Sequence, residues 1–238
     1  MDLARGGKLL LYTQEPQTIA QIAETTDALF AWLGVPHGFT IILFWRHDPR
    51  HIRADEWPSK RTVNGGWAVP GSSEITVYRA EEWERVLLHE SIHALEWDWA
   101  MPESPLPCWG LGDDANIQPA LFEAWTELYA EWLWCGWHNV PWERQRAWQD
   151  RQAVQILCRV PAAGWKENTN VFAYYVLKAA LAPHIGFLWV FGNGENNAER
   201  SAVLCGLVEP ELARLRAAAS NTSPMALSMR MTIGNDKK

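Results

Sequence analysis

Cysteine is scarce and scattered in this chain: Cys108, Cys135, Cys158 and Cys205 are the only four in 238 residues, and no two form a Cys-x-x-Cys pair. That spacing excludes a zinc ribbon and a dense disulfide framework, and suits a reducing compartment. No apolar run is long enough to span a membrane, because the longest, residues 171–191, is broken by Lys178, Pro183, His184 and Gly186. The apolar stretch within residues 1–12 is too short for a signal peptide, and no small-residue cleavage site follows it, so a cytoplasmic location is expected. Positive charge is in deficit, with 21 basic against 28 acidic residues and a net charge of -7, which argues against nucleic acid as the main partner. The one basic cluster, Arg46, Arg50, Arg53, Lys60 and Arg61, is interleaved with His47, Asp48, His51 and Asp55 and reads as a solvated loop.

What is present suffices for one large packed domain. Hydrophobic residues make up 48% of the chain, and 16 tryptophans fall mostly at helical spacing among other apolar residues, as large core side chains do. In this background lies Val86-Leu87-Leu88-His89-Glu90-Ser91-Ile92-His93-Ala94-Leu95, a helix-forming run without proline. His89 and His93, four residues apart, project from one helix face a turn apart, so both imidazoles can reach a single metal ion. Glu90, beside them, can take a proton from a metal-bound water. Buried polar groups need a partner or a ligand, and the apolar flanks bury this helix.

The surrounding pattern predicts a helix over 16–33 stopped at Gly34, a strand over 39–45, a hairpin of 63–69 and 74–78, and the motif helix over about 80–99. A surface loop over 101–116 is followed by a helix over about 118–137 that carries Glu123, Glu127 and Glu131 as an i, i+4, i+8 acidic stripe beside aromatic residues. Further helices are expected over 141–158 and 170–182 and around Pro210 over 195–219, and the polar segment 221–238 reads as loose. Strands first and helices after define an α+β fold.

Two histidines leave a catalytic zinc one protein ligand short. A third histidine six residues past the motif is missing, because that position is Trp99, and a di-iron carboxylate site would need a second Glu-x-x-His, which the chain lacks. The histidine motif followed by a glutamate-bearing helix resembles the gluzincin branch of zinc peptidases. Over about residues 60–190, the runs Val63-Asn64-Gly65-Gly66-Trp67, Ile75-Thr76-Val77-Tyr78-Arg79-Ala80-Glu81-Glu82-Trp83, Thr126-Glu127-Leu128-Tyr129-Ala130-Glu131 and Asn170-Val171-Phe172-Ala173-Tyr174-Tyr175-Val176-Leu177-Lys178 are similar to zinc metallopeptidases predicted in large nucleocytoplasmic DNA viruses.

The resemblance implies a single zincin-like domain: a small sheet and active-site helix in 16–100, a helical lobe with the third ligand in 117–219, and a flexible tail in 220–238. It implies one zinc per chain on His89, His93 and Glu127, since Glu127-Leu128-Tyr129-Ala130-Glu131 has the Glu-x-x-Ala-Glu form in which the second acid orients an imidazole. Glu123 is the alternative ligand. Tyr174, Tyr175 and His184 are candidate donors to an oxyanion, and Asn64, Gly65, Gly66 and Trp67 would form an edge strand against the substrate backbone. The expected activity is Glu90-assisted hydrolysis of peptide bonds in a peptide or protein substrate, with a catalytically inactive scaffold that binds zinc and a protein partner as the alternative.

Overall fold

The computed structural model describes residues 1–15, 18–98, 121–160, 169–191 and 198–233. The expected loop over 101–116, Cys108 with it, and the last five residues lie outside them. The fold class is α+β, as expected. Strand β1 (Lys8–Tyr12), helix α1 (Thr18–Leu33) and strand β2 (Thr40–Phe44) form a crossover unit between parallel strands, and β1 is a strand that the sequence pattern did not reveal. After β3 (His51–Ile52) and the short α2 (Lys60–Val63), the hairpin of β4 (Gly66–Ala68) and β5 (Glu74–Val77) completes a four-stranded sheet in the order β1-β2-β5-β4. β5 runs parallel to β2 and β4 antiparallel to β5, which leaves β4 at the edge.

The motif helix α3 (Trp83–Ala94) follows β5 and packs against α4 (Leu121–His138). It is shorter than its apolar pattern suggests. Glu82, left-handed at φ 60, precedes it, and Glu96, left-handed at φ 55, ends it. There the Trp97 N–H reaches Ile92 O and the Glu96 N–H reaches His93 O, the paired bonds of a Schellman termination. Helix α5 (Trp142–Leu157) follows, then a π-helical stretch (Phe172–Leu177), α6 (Lys178–Leu181), a 3-10 turn (Ala182–His184), α7 (Ile185–Phe191) and α8 (Ala198–Ser220). Pro210 lies inside α8, so one helix stands where a pair of turns or helices around Pro210 was expected. Cys205 on this helix is disulfide-bonded, which departs from the reducing-compartment reading, while Cys135 and Cys158 are free.

The expected loose tail is instead a strap as far as residue 233. Strand β6 (Leu227–Ser228) pairs antiparallel with β3, and Met229, Met231 and Thr232 are buried. Three glutamines of α5 hold its backbone. The Gln145 amide donates to Met231 O at 2.8 Å, Gln152 to Ser228 O at 3.0 Å and Gln155 to Ser223 O at 3.4 Å, while Gln149 and Gln145 also donate to the buried Glu131. Side-chain amides that match main-chain donors and acceptors fix a polar segment that has little apolar surface of its own. Arg50, expected in a solvated loop, is fully buried and donates to Glu82 at 2.9 Å, whose carboxylate also accepts from the Met231 and Thr232 amides at 3.0 and 2.7 Å.

Glu131 is likewise fully buried and paired with Lys178. Removing one partner of such a pair leaves an uncompensated charge in a low-dielectric interior. Lys178→Met should therefore lower stability by about 3–5 kcal/mol, read from urea unfolding at neutral pH.

Candidate metal centre

His89 and His93 lie on the face of α3 that meets α4, and both are buried. Among the described residues, one group of side chains could hold a metal ion: His89, His93 and Glu123. The two Nε2 atoms are 3.0 Å apart, and Glu123 Oε2 stands 3.5 Å from the first and 3.4 Å from the second. Ligand atoms about 2.0–2.1 Å from a tetrahedral ion are about 3.3 Å from one another, so this triangle has the dimensions of a zinc site.

The far nitrogen of each ring faces an acid. His93 Nδ1 donates to Asp98, which also accepts from Thr126 Oγ1 at 3.0 Å. His89 Nδ1 lies 2.9 Å from Glu127 Oε2, a charge contact whose angle falls short of a full hydrogen bond. With both Nδ1 atoms engaged, the two Nε2 lone pairs point at one place, an arrangement that is repulsive unless a cation or proton stands between them.

The electrostatics favour that positive charge. Burial by itself would lower the pKa of His93, but its bonds to Asp98 and Glu123 prevail and raise it to about 10. Burial would raise Glu123, but the two imidazoles prevail and lower it to about 2. Glu90 moves the other way: burial, only partly offset by the histidines, raises its pKa, which makes its carboxylate a stronger base.

The expected ligand Glu127 lies outside the group of His89, His93 and Glu123. One turn along α4 from Glu123, its two oxygens accept from Arg85 Nη1 at 2.8 and 2.6 Å, behind the His89 ring. Glu131, expected to orient an imidazole, lies a further turn away with Lys178, Gln145 and Gln149. Tyr174 is at the centre, its hydroxyl donating to Glu123 Oε2 at 3.0 Å, and burial keeps its pKa well above the ordinary value. Tyr175 turns instead to the strap and donates to Met229 O at 2.9 Å, and His184, in the 3-10 turn, does not line the cleft. Tyr174 and Tyr175 are consecutive residues of the π-helical stretch, so they project to different sides of it.

A cleft of about 290 Å³ opens over the centre, lined by Asn64, Gly66, Trp67, His89, Glu90, His93, Glu123 and Tyr174 among others. Its wall is β4. A Cβ on Gly65 would stand 2.6 Å from a Val86 methyl, and one on Gly66 2.8 Å from Glu90 Cγ, so only glycine lets this strand lie so close to α3. The Tyr78 N–H donates to Gly65 O. Because bonded and non-bonded pairs alternate along an antiparallel ladder, the amides and carbonyls of Gly66 and Ala68 face the outer edge. Asn64, the remaining member of the expected substrate strand, accepts from Thr169 Oγ1 at 2.8 Å.

Sequence reasoning missed Asp98, Thr126 and Arg85. Asp98 is five residues past His93 and meets it only because Glu96 turns the chain back, a signal too weak to read without the turn. No family model, no curated protein and no solved structure matches this chain.

If a metal is held by this trio, Glu123→Ala should remove it. Elemental analysis of the purified variant beside the parent chain, after dialysis against trace zinc, would show about one zinc per chain falling to near none.

Proposed function

We propose that this protein is a zinc-dependent peptidase of gluzincin-like, zincin-type design, with His89, His93 and Glu123 as the protein ligands. The observation that carries the reading is the triangle of ligand atoms at 3.0, 3.4 and 3.5 Å, placed beside Glu90 in a cleft with an open strand edge. The resemblance of the motif-helix, hairpin and glutamate-helix sequences to zinc metallopeptidases predicted in large nucleocytoplasmic DNA viruses leads to the same reading.

Zinc, when bound there, supplies a Lewis acid that lowers the pKa of water and polarises a carbonyl. The chain's own residues do the rest. The outward amides and carbonyls of Gly66 and Ala68 take an extended peptide as an added strand and lay its backbone across the centre. Glu90, its pKa raised by burial, takes the proton of the attacking water and passes it to the leaving amine. Tyr174, held as a neutral donor, turns its hydroxyl to the oxygen on which negative charge develops. Three protein ligands leave room for a water, the arrangement that distinguishes a catalytic from a structural zinc site.

The test is a diverse peptide library incubated with the purified protein, with and without a chelator. Metal-dependent cuts support the peptidase, whereas zinc and peptide binding without cuts would assign the chain to the inactive-scaffold class. Glu90→Gln should keep its zinc while lowering turnover by roughly 10²–10⁴-fold. Tyr174→Phe should lower kcat by roughly 10²–10³-fold with little change in KM, as loss of an oxyanion donor does.

A further inference from the structure

We infer that Arg85 is a positioning residue for the metal centre: by holding Glu127 it fixes the His89 ring and leaves Glu123, rather than Glu127, as the third ligand. The inference rests on the metal-centre reading above and goes beyond it by explaining which carboxylate is a ligand and which is not.

Arg85, His89 and His93 form an i, i+4, i+8 stripe on α3, and Glu123 and Glu127 face it from α4. Either glutamate could serve a metal by chemistry alone. Arg85 Nη1 donates to both oxygens of Glu127, and the same Oε2 stands 2.9 Å from His89 Nδ1, on the side of the ring away from Nε2. Glu127 is thereby fully engaged behind the ring that Glu123 meets from the front.

Arg85 makes its side-chain hydrogen bonds to Glu127, while the charges of Glu82 and Glu131 also act on it. It is 3% exposed, Glu127 is the acceptor for its Nη1, and its Nε is buried without a hydrogen-bond partner among the described residues. A guanidinium under-satisfied to this degree is expensive to bury, and what it offers in return is a fixed charge opposite Glu127. Without it, Glu127 would be a buried carboxylate with one imidazole in contact and the charge of Lys178 acting on it, free to swing toward a cation in front of the ring. Outer partners of metal-bound imidazoles commonly set affinity by orienting the ring, and here the orienting acid is itself oriented.

The experiment is zinc affinity by competition with a chromophoric chelator, with melting temperature alongside, for the parent chain, Arg85→Met, Arg85→Lys, Glu127→Gln and Gln152→Leu. Arg85→Met and Glu127→Gln should weaken zinc binding by roughly tenfold to a hundredfold, and Arg85→Lys should recover part of the loss. Gln152→Leu, which cuts strap bonds away from the ligands, should lower the melting temperature and leave affinity unchanged. The cobalt(II) absorption bands of Arg85→Met should shift, which a loss of stability alone would not produce. A folded Arg85→Met with affinity within about threefold of the parent and the same cobalt spectrum overturns the inference. Should that variant fail to fold, unchanged affinity in both Arg85→Lys and Glu127→Gln overturns it equally. A parent chain that takes up no zinc removes the metal-centre reading and this inference together, whereas a zinc-binding parent with indifferent variants removes this inference alone.

Discussion

Where α3 crosses α4, two helices that would ordinarily meet through apolar side chains meet through charge: Arg85, His89 and His93 on one side, Glu123 and Glu127 on the other. Such a seam is unfavourable unless every group finds a partner, because desolvation of each charge is large and only close, well-directed contacts offset it. Leu87, Leu88, Ile92, Ala124 and Leu128, all nearly inaccessible, wall it in. They keep water out and so strengthen each contact within. The seam thus serves stability and chemistry through the same physics, since an interior that demands a cation opposite its carboxylates is also one that would hold a metal.

The polar interior continues away from the cleft. Glu82 accepts from Arg50 and from the strap amides of Met231 and Thr232, and Glu131 gathers Lys178 with two glutamines of α5. Residues far apart in the chain therefore converge on the back of the motif helix, and Met231 itself borders the small cavity behind His89 and Glu127. Ion pairs buried in this way contribute less to net stability than their number suggests, but each partner's removal is severe, which makes the arrangement sensitive to single changes. It also ties the last described residues of the chain to Glu82, the residue that precedes α3.

Much of the layout was legible in the residues. The helices around 18–33, 121–138 and 142–157 and the hairpin before α3 follow from apolar periodicity and turn chemistry, which are local. The misreadings share a cause. The motif helix stops at Ala94, short of its apolar pattern, because Glu96 takes a left-handed conformation that non-glycine residues seldom adopt. The strap read as loose because its stabilising contacts are hydrogen bonds from glutamines some 70 to 90 positions away, and those leave no hydrophobic trace in its own sequence. Arg50 read as solvated for a similar reason, its partner Glu82 being 32 positions distant.

By itself the sequence determined that His89 and His93 share a face with Glu90 beside them, because four-residue spacing on a helix sets that geometry wherever the helix is placed. Which glutamate joins them was beyond its reach. Glu123, Glu127 and Glu131 form one stripe, each about 6 Å further along the axis than the last, so the choice depends on where α4 comes to rest against α3. Only the docked helices decide it, through Arg85 taking Glu127, Lys178 taking Glu131, and Glu123 left facing the two imidazoles.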